Sequence, residues 1–255
     1  MAETIAQVRS QPLEGLAARR RVAIVPALNE EATIGGVIEE IRAFDSGFEI
    51  VVIDDGSGDR TAEVARAHGA KVLRLPFNLG IGGAVQTGFR YAWENGFDLA
   101  VRVDGDGQHD PGELSAIIEP VLAGEADIAV GSRFAGGPGY RPSRSRRIGI
   151  RILAWAVSRL VRQRVTDTTS GFQALNRRGI QLFAADYPHD YPEVEATVMV
   201  FRHRLRMLEV PVAMRERAAG RSSITAFRSV YYMAKVLLAL LVGIFRRNVV
   251  PLEDR

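Results

Sequence analysis

Two aspartates separated by one glycine, Asp104-Gly105-Asp106, with Gln108 two residues on, carry the sharpest chemical signal in this chain. Carboxylates one residue apart, just past a strand-like stretch at residues 98–103, can grip one hard divalent cation together. Mg²⁺ typically takes one or two protein carboxylates and completes its shell with phosphate oxygens and water. Asp-Gly also favours ordinary turns, so the pair takes its meaning from its position at the end of that stretch. Asp54-Asp55-Gly56-Ser57 closes a second such stretch at residues 50–53, and Asn29-Glu30 follows a third at residues 22–27. Side chains there suit hydrogen bonds to a nucleobase N–H or a ribose hydroxyl; the competing role is helix capping, with Asp59 as an N-cap.

Asn78-Leu79-Gly80-Ile81-Gly82-Gly83 resembles a dinucleotide fingerprint only superficially. It follows the third strand-like stretch, and the last glycine of that spacing falls on Val85. A helix starting at Gly80 still suits close packing on a sheet, or a diphosphate at its N-terminus. The four histidines, His68, His109, His189 and His203, show no metal-ligand spacing, and His109 is expected at the solvated surface, with a substrate contact as its alternative. No cysteine is present, which excludes disulfides and thiolate metal sites and suits a reducing cytosol.

These clusters need elements to position them. Strand-like stretches at 22–27, 50–53, 71–75, 98–103 and 127–131 alternate with helical patterns at 34–41, 59–68 and 80–95, and Pro111 suits the first turn of another helix. Such alternation predicts an α/β fold, a mostly parallel sheet flanked by helices on both faces. Ligands then sit beyond the carboxyl ends of the strands, where the polar clusters fall. The second half predicts an arginine-dense segment at 141–164, a helix at 191–204, a strand at 207–211, a basic loop at 215–223 and an apolar helix at 224–247.

The 255 residues, 47% hydrophobic, suffice for one large domain over residues 21–223. Residues 1–20 form an N-terminal extension without the apolar run of a signal peptide, and 224–255 a C-terminal helix and tail. Net charge is +3, split as −10 over residues 1–132 and +13 over 133–255, which pairs a metal-friendly half with an anion-friendly one. No basic stretch interleaved with aromatics suggests nucleic acid. Residues 236–245 are uncharged but too few for a span, which needs about 20. An all-round apolar helix is buried in something: its own domain, the bilayer interface, a small membrane protein or a second copy of the chain.

The ordered set Val25-Pro26-Ala27-Leu28-Asn29-Glu30-Glu31, Ile53 to Ser57, Asn78 to Gly88, Asp104 to His109, Gly131-Ser132-Arg133 and Ser170-Gly171-Phe172 resembles family 2 of the inverting glycosyltransferases, of GT-A fold. The branch it resembles holds dolichol-phosphate mannose synthase and polyprenyl-phosphate glycosyltransferases. The resemblance implies that Asp104 and Asp106 bind Mg²⁺ or Mn²⁺ with Gln108 as third ligand. It implies a nucleoside-diphosphate-sugar donor, with uridine as the base, held around Pro26, Asn29, Glu30, Asp55, Gly80 and Gly105. Leu28 stands where relatives often carry tyrosine. Arg217, Gly220, Ser222 and Ser223 resemble a loop that closes over phosphates, and Arg133, Arg217 and Arg221 suit bidentate contacts to the departing diphosphate.

For the acceptor, a lipid phosphate is already anionic, whereas a sugar hydroxyl of a glycan needs a carboxylate base. Asp167 resembles the family position near the acceptor; Glu193 and Glu195 are the other candidates, unless they merely open a helix. The resulting expectation is a peripheral enzyme at the cytoplasmic membrane face acting on polyprenyl phosphate. Transfer to a glycan hydroxyl, nucleotidyl transfer and a non-catalytic nucleotide-sugar sensor are the alternatives.

Overall fold

The computed structural model describes residues 13, 15–133, 154–155, 157–159, 165–167, 170–189, 192–215 and 251–252. Among them, β1 (Arg21–Ala27), β2 (Glu49–Asp54), β3 (Lys71–Arg74), β4 (Leu99–Arg102), β5 (Ile128–Ser132), β6 (Gln173–Asn176) and β7 (Met207–Pro211) form one sheet in the order β3-β2-β1-β4-β6-β5-β7. The helices are α1 (Ile34–Phe44), α2 (Thr61–Ala67), α3 (Gly80–Glu94), α4 (Leu114–Leu122), α5 (Arg177–Ala185) and α6 (Pro192–Arg202), with a 3₁₀ turn at Pro111–Glu113 leading into α4.

The last six residues of β1 are buried, as a continuous apolar run requires when both faces of a strand are covered. Val22 and Ile24 pack with Phe89 of α3 and Phe183 of α5 on one face. Ala23 and Val25 pack with Ile38 of α1 and Ile117 of α4 on the other, which is the two-residue alternation of a strand. A Cβ on Gly88 of α3 would lie 2.3 Å from Cγ2 of Ile24, so α3 lies nearer to β1 than a side chain there permits.

β1, β2, β3, β4 and β5 lie within one residue of their expected limits, β7 matches at 207–211, and α6 lies inside 191–204. β6 is the exception to the parallel sheet: it runs antiparallel to both β4 and β5. Its four residues, Gln173-Ala174-Leu175-Asn176, are too short and mixed to show a period, and α5 follows at once with Asn176 as its N-cap, accepting the Gly179 N–H. Asp59 is not an N-cap. Arg60 takes that position, and the Asp59 carboxylate accepts the N–H groups of Thr61 (3.0 Å) and Glu31 (3.2 Å), tying the start of α2 to the loop after β1. Core packing begins upstream of Arg21, because Leu16 is buried and Leu13 half-buried against the same cluster as Ile38. Arg217, Arg221, Ser222, residues 141–153 and the expected helix at 224–247 lie outside the described residues. Among the described residues no helix is long and apolar enough to cross a membrane.

Candidate active site

The polar clusters of the sequence meet along one sheet edge, where β1, β2, β4, β5 and β7 end and β6 begins. The turn after β4 is pinned to its neighbours. The Gly105 N–H donates to the Pro26 carbonyl at 3.1 Å, and the Thr33 hydroxyl donates to the Gly105 carbonyl at 2.8 Å. A Cβ on Gly105 would meet both the Ala27 Cβ and the Pro26 carbonyl oxygen at 3.2 Å. The Gln108 N–H donates to Oδ1 of Asp106 at 3.0 Å. This turn presents Asp104, Gly105 and Asp106 to an open cavity whose other walls include Pro26, Leu28, Glu30, Asp55 and Gly80. Leu28 and Ile81, 39% and 42% exposed, add apolar surface to its wall.

Two residues expected in that cavity have other duties. Asn29 does not line it: with a backbone φ of 55°, it takes the Gly58 N–H on its side-chain oxygen at 2.9 Å and gives its own N–H to the Ser57 hydroxyl. Asp55 lines the cavity while Oδ1 accepts the Leu79 N–H at 2.7 Å, bracing the start of α3. Burial pushes the Asp55 carboxyl above its usual range, outweighing the Leu79 and Gly80 N–H groups.

A second, smaller cavity adjoins the first and shares Asp104 with it. Gln108, His109, Arg133, Ser170, Glu193 and Arg215 line its remaining polar wall. Gln108 lines the smaller cavity together with Asp104, while its backbone N–H is bonded to Asp106. Arg133 donates to both oxygens of Asp167, whose own side chain is fully buried. Arg215 donates to Glu40 and Asp110. His109 is buried, not solvated: its Nδ1 accepts the Asp104 N–H at 3.0 Å, and its ring packs on Phe172 with centroids 5.0 Å apart. Burial and Arg102 depress its pKa against the pull of Asp104, so near neutrality the ring is uncharged, with its proton on Nε2.

Asp104 is also held by Arg102, which the sequence disclosed only as one residue of a strand. Burial raises the Asp104 pKa, but Arg102 and then His109 reverse that and keep the carboxyl below its usual range. Two carboxylates in the wall of one cavity have the hard-oxygen chemistry that suits a divalent cation such as Mg²⁺. Among the described residues no three His, Asp or Glu side chains gather where they could hold a metal ion.

A family model described as Glycosyl transferase family 2 matches residues 22–182. The chain is 30% identical to the polyprenol monophosphomannose synthase of Mycolicibacterium smegmatis over 220 residues, 81% of this chain and 82% of that one. It is 31% identical to the undecaprenyl-phosphate mannosyltransferase of Micrococcus luteus over 219 residues, 81% and 88% of the two chains. Among solved structures, glucosyl-3-phosphoglycerate synthase from Mycobacterium tuberculosis, in complex with Mn²⁺, UDP and glucosyl-3-phosphoglycerate, is similar with a TM-score of 0.68. Identity there is 26%, covering 89% of this chain and 80% of that one.

Proposed function

The chain belongs to glycosyl transferase family 2 and has its GT-A fold, and we propose that it carries a sugar, with inversion, from a nucleoside-diphosphate sugar to a polyprenyl phosphate at the cytoplasmic face of a membrane. The observation that carries this reading is Asp104 standing in the walls of both cavities. One cavity offers nucleoside contacts and a helix N-terminus; the other offers Arg133 and Arg215 to an anionic acceptor. UDP in a similar structure supports uridine as the base, and two relatives are named for polyprenol or undecaprenyl phosphate.

The residues divide the work. Glu30 and Asp55 accept hydrogen bonds from base or ribose, and Leu28 and Ile81 cover the ring. The first turn of α3 directs its N–H dipoles toward the diphosphate. Asp104 and Asp106 would hold Mg²⁺ or Mn²⁺, a Lewis acid for the charge on the departing diphosphate. Arg133, aimed by Asp167, contacts the acceptor phosphate, whose oxygen is already anionic and needs no base.

The test combines the purified protein, Mn²⁺, radiolabelled UDP-, GDP- and dTDP-sugars and undecaprenyl phosphate in detergent. The expected result is label in the lipid extract and release of nucleoside diphosphate. Transfer to a water-soluble hydroxyl acceptor but not to the lipid phosphate sinks the proposal. One observation favours that second reading: Glu193 lines the smaller cavity, where it would serve a hydroxyl as base. A large but incomplete loss of transfer in Glu193→Gln, with the acidic limb removed from the pH–rate profile of what remains, identifies that case.

A further inference from the structure

Arg102 ends β4, whose other residues are apolar, and its side chain is only 2% exposed. Its Nε donates to Oδ1 of Asp104 at 3.0 Å, Nη2 to Oε1 of Glu193 at 3.2 Å, and Nη1 to the Tyr187 hydroxyl at 3.3 Å. Gly171 closes over this guanidinium: a Cβ there would lie 2.6 Å from Nη2 and 2.7 Å from Cζ. Burying a guanidinium carries a heavy desolvation penalty, and keeping it requires this degree of pairing. The two carboxylates it joins belong to different parts of the site. Asp104 faces both cavities, whereas Glu193 faces only the smaller one.

We propose that Arg102 is a positioning residue that makes cation capture at Asp104 depend on the incoming diphosphate, while holding Glu193 against the acceptor cavity. The inference rests on Asp104 and Asp106 being the cation ligands. Arg102 offsets one of their two charges and engages Oδ1 of Asp104, so a divalent cation alone meets a weakened site. The negative charges of a diphosphate restore the attraction, and cation and donor are bound together. Glu193, anchored by the same fork, keeps its place whether or not the donor is bound.

The experiment measures Mn²⁺ affinity by electron paramagnetic resonance, with and without UDP or GDP, in wild type, Arg102→Met and Arg102→Lys. Melting curves and separate donor and acceptor KM values accompany it. Arg102→Met is expected to bind Mn²⁺ alone on the order of tenfold more tightly, because a unit charge close to the ligand is gone, and to show less enhancement by the nucleotide. Arg102→Lys keeps the charge but not the fork; its affinity for Mn²⁺ alone stays near wild type, while acceptor KM rises. A folded Arg102→Met with wild-type Mn²⁺ affinity in both conditions overturns the proposal. Should Arg102→Met fail to fold, wild-type kcat and acceptor KM in both Arg102→Lys and Glu193→Gln overturn it instead. If wild type binds Mn²⁺ neither alone nor with nucleotide, the cation reading itself fails and takes the proposal with it.

Discussion

Arg133 and Asp167 form a two-pronged ion pair, Nε to Oδ2 at 3.0 Å and Nη2 to Oδ1 at 3.2 Å, with the Arg133 backbone N–H reaching Oδ2 at 3.3 Å. Asp167 is itself fixed, since Glu209 accepts the backbone N–H groups of Thr166 and Asp167. Arg133 lines the smaller cavity and Asp167 does not. The aspartate thus aims a guanidinium into the cavity and is poorly placed to take a proton from anything bound there.

Asp167→Asn therefore tests aiming against base catalysis. The amide oxygen accepts one guanidinium N–H where the carboxylate accepted two, and a charge-assisted bond is lost. Transfer should fall about tenfold to a hundredfold, the worth of one hydrogen bond between charged groups. Acceptor KM should rise and the acidic limb of the pH–rate profile should persist. Disappearance of that limb at unchanged acceptor KM restores Asp167 as a base.

Gly171→Ala forces a methyl group against the Arg102 guanidinium. The colliding atoms are at the end of a long side chain, but three partners hold that end in place. Arg102 has to surrender at least one of them. Overpacking of this kind costs about 1–3 kcal/mol, visible in denaturant unfolding, and donor and acceptor KM should change together because both carboxylates depend on the displaced fork. Wild-type stability and kinetics in this variant mean that the fork has room to move.

The parallel part of the fold was legible because β1 and β2 are largely apolar runs, and β4 one interrupted only by Arg102, each leading into an Asn, Asp or Gly cluster. Those clusters were legible as a site for the same reason: parallel strands deliver their carboxyl ends to one edge. β6 escaped because four mixed residues have no period, and its pairing is with β4 and β5, far away in sequence. Arg102 escaped for a different reason. Its partners Tyr187 and Glu193 lie 85 and 91 positions further along the chain, and only the fold brings them together. A usable signal was there all the same: one charged residue after Leu99-Ala100-Val101 and before Val103 cannot be buried without partners. His109 looked solvated beside two aspartates, but Phe172 and the Asp104 N–H enclose it.

His109 gives the metal-free protein a pH-dependent stability whose sign follows from its depressed pKa. Below its ordinary value of 6.5, the unfolded chain binds a proton that the folded ring refuses. Stability is therefore full above that value and falls as pH drops toward the folded pKa, at no more than about 1.4 kcal/mol per pH unit. Urea unfolding at pH 7.5 and 5.5 should show the loss, and His109→Asn should reduce it, since the asparagine oxygen can accept the Asp104 N–H without titrating. An equal pH dependence in both proteins assigns the effect to other groups.

Asp104 and Asp106 should behave differently when each is replaced by alanine, although both face the donor cavity. Asp106→Ala removes the acceptor of the Gln108 N–H but leaves the Arg102 bonds to Asp104, Tyr187 and Glu193 intact, so the metal-free protein should lose only about 1 kcal/mol, the scale of one hydrogen bond. Asp104→Ala leaves the buried Arg102 with one anionic partner fewer. Breaking fully buried pairs costs about 3–5 kcal/mol; with Asp104 29% exposed, about 1–3 kcal/mol is the reasonable scale. Ligand at a hundred times its Kd stabilises a native state by about 2.7 kcal/mol, so Mn²⁺ with the preferred nucleotide should raise the wild-type Tm clearly. That rise should vanish in both variants, together with transfer. If it survives in Asp106→Ala at wild-type size, the cation is held elsewhere and the shared position of Asp104 between the two cavities has another meaning.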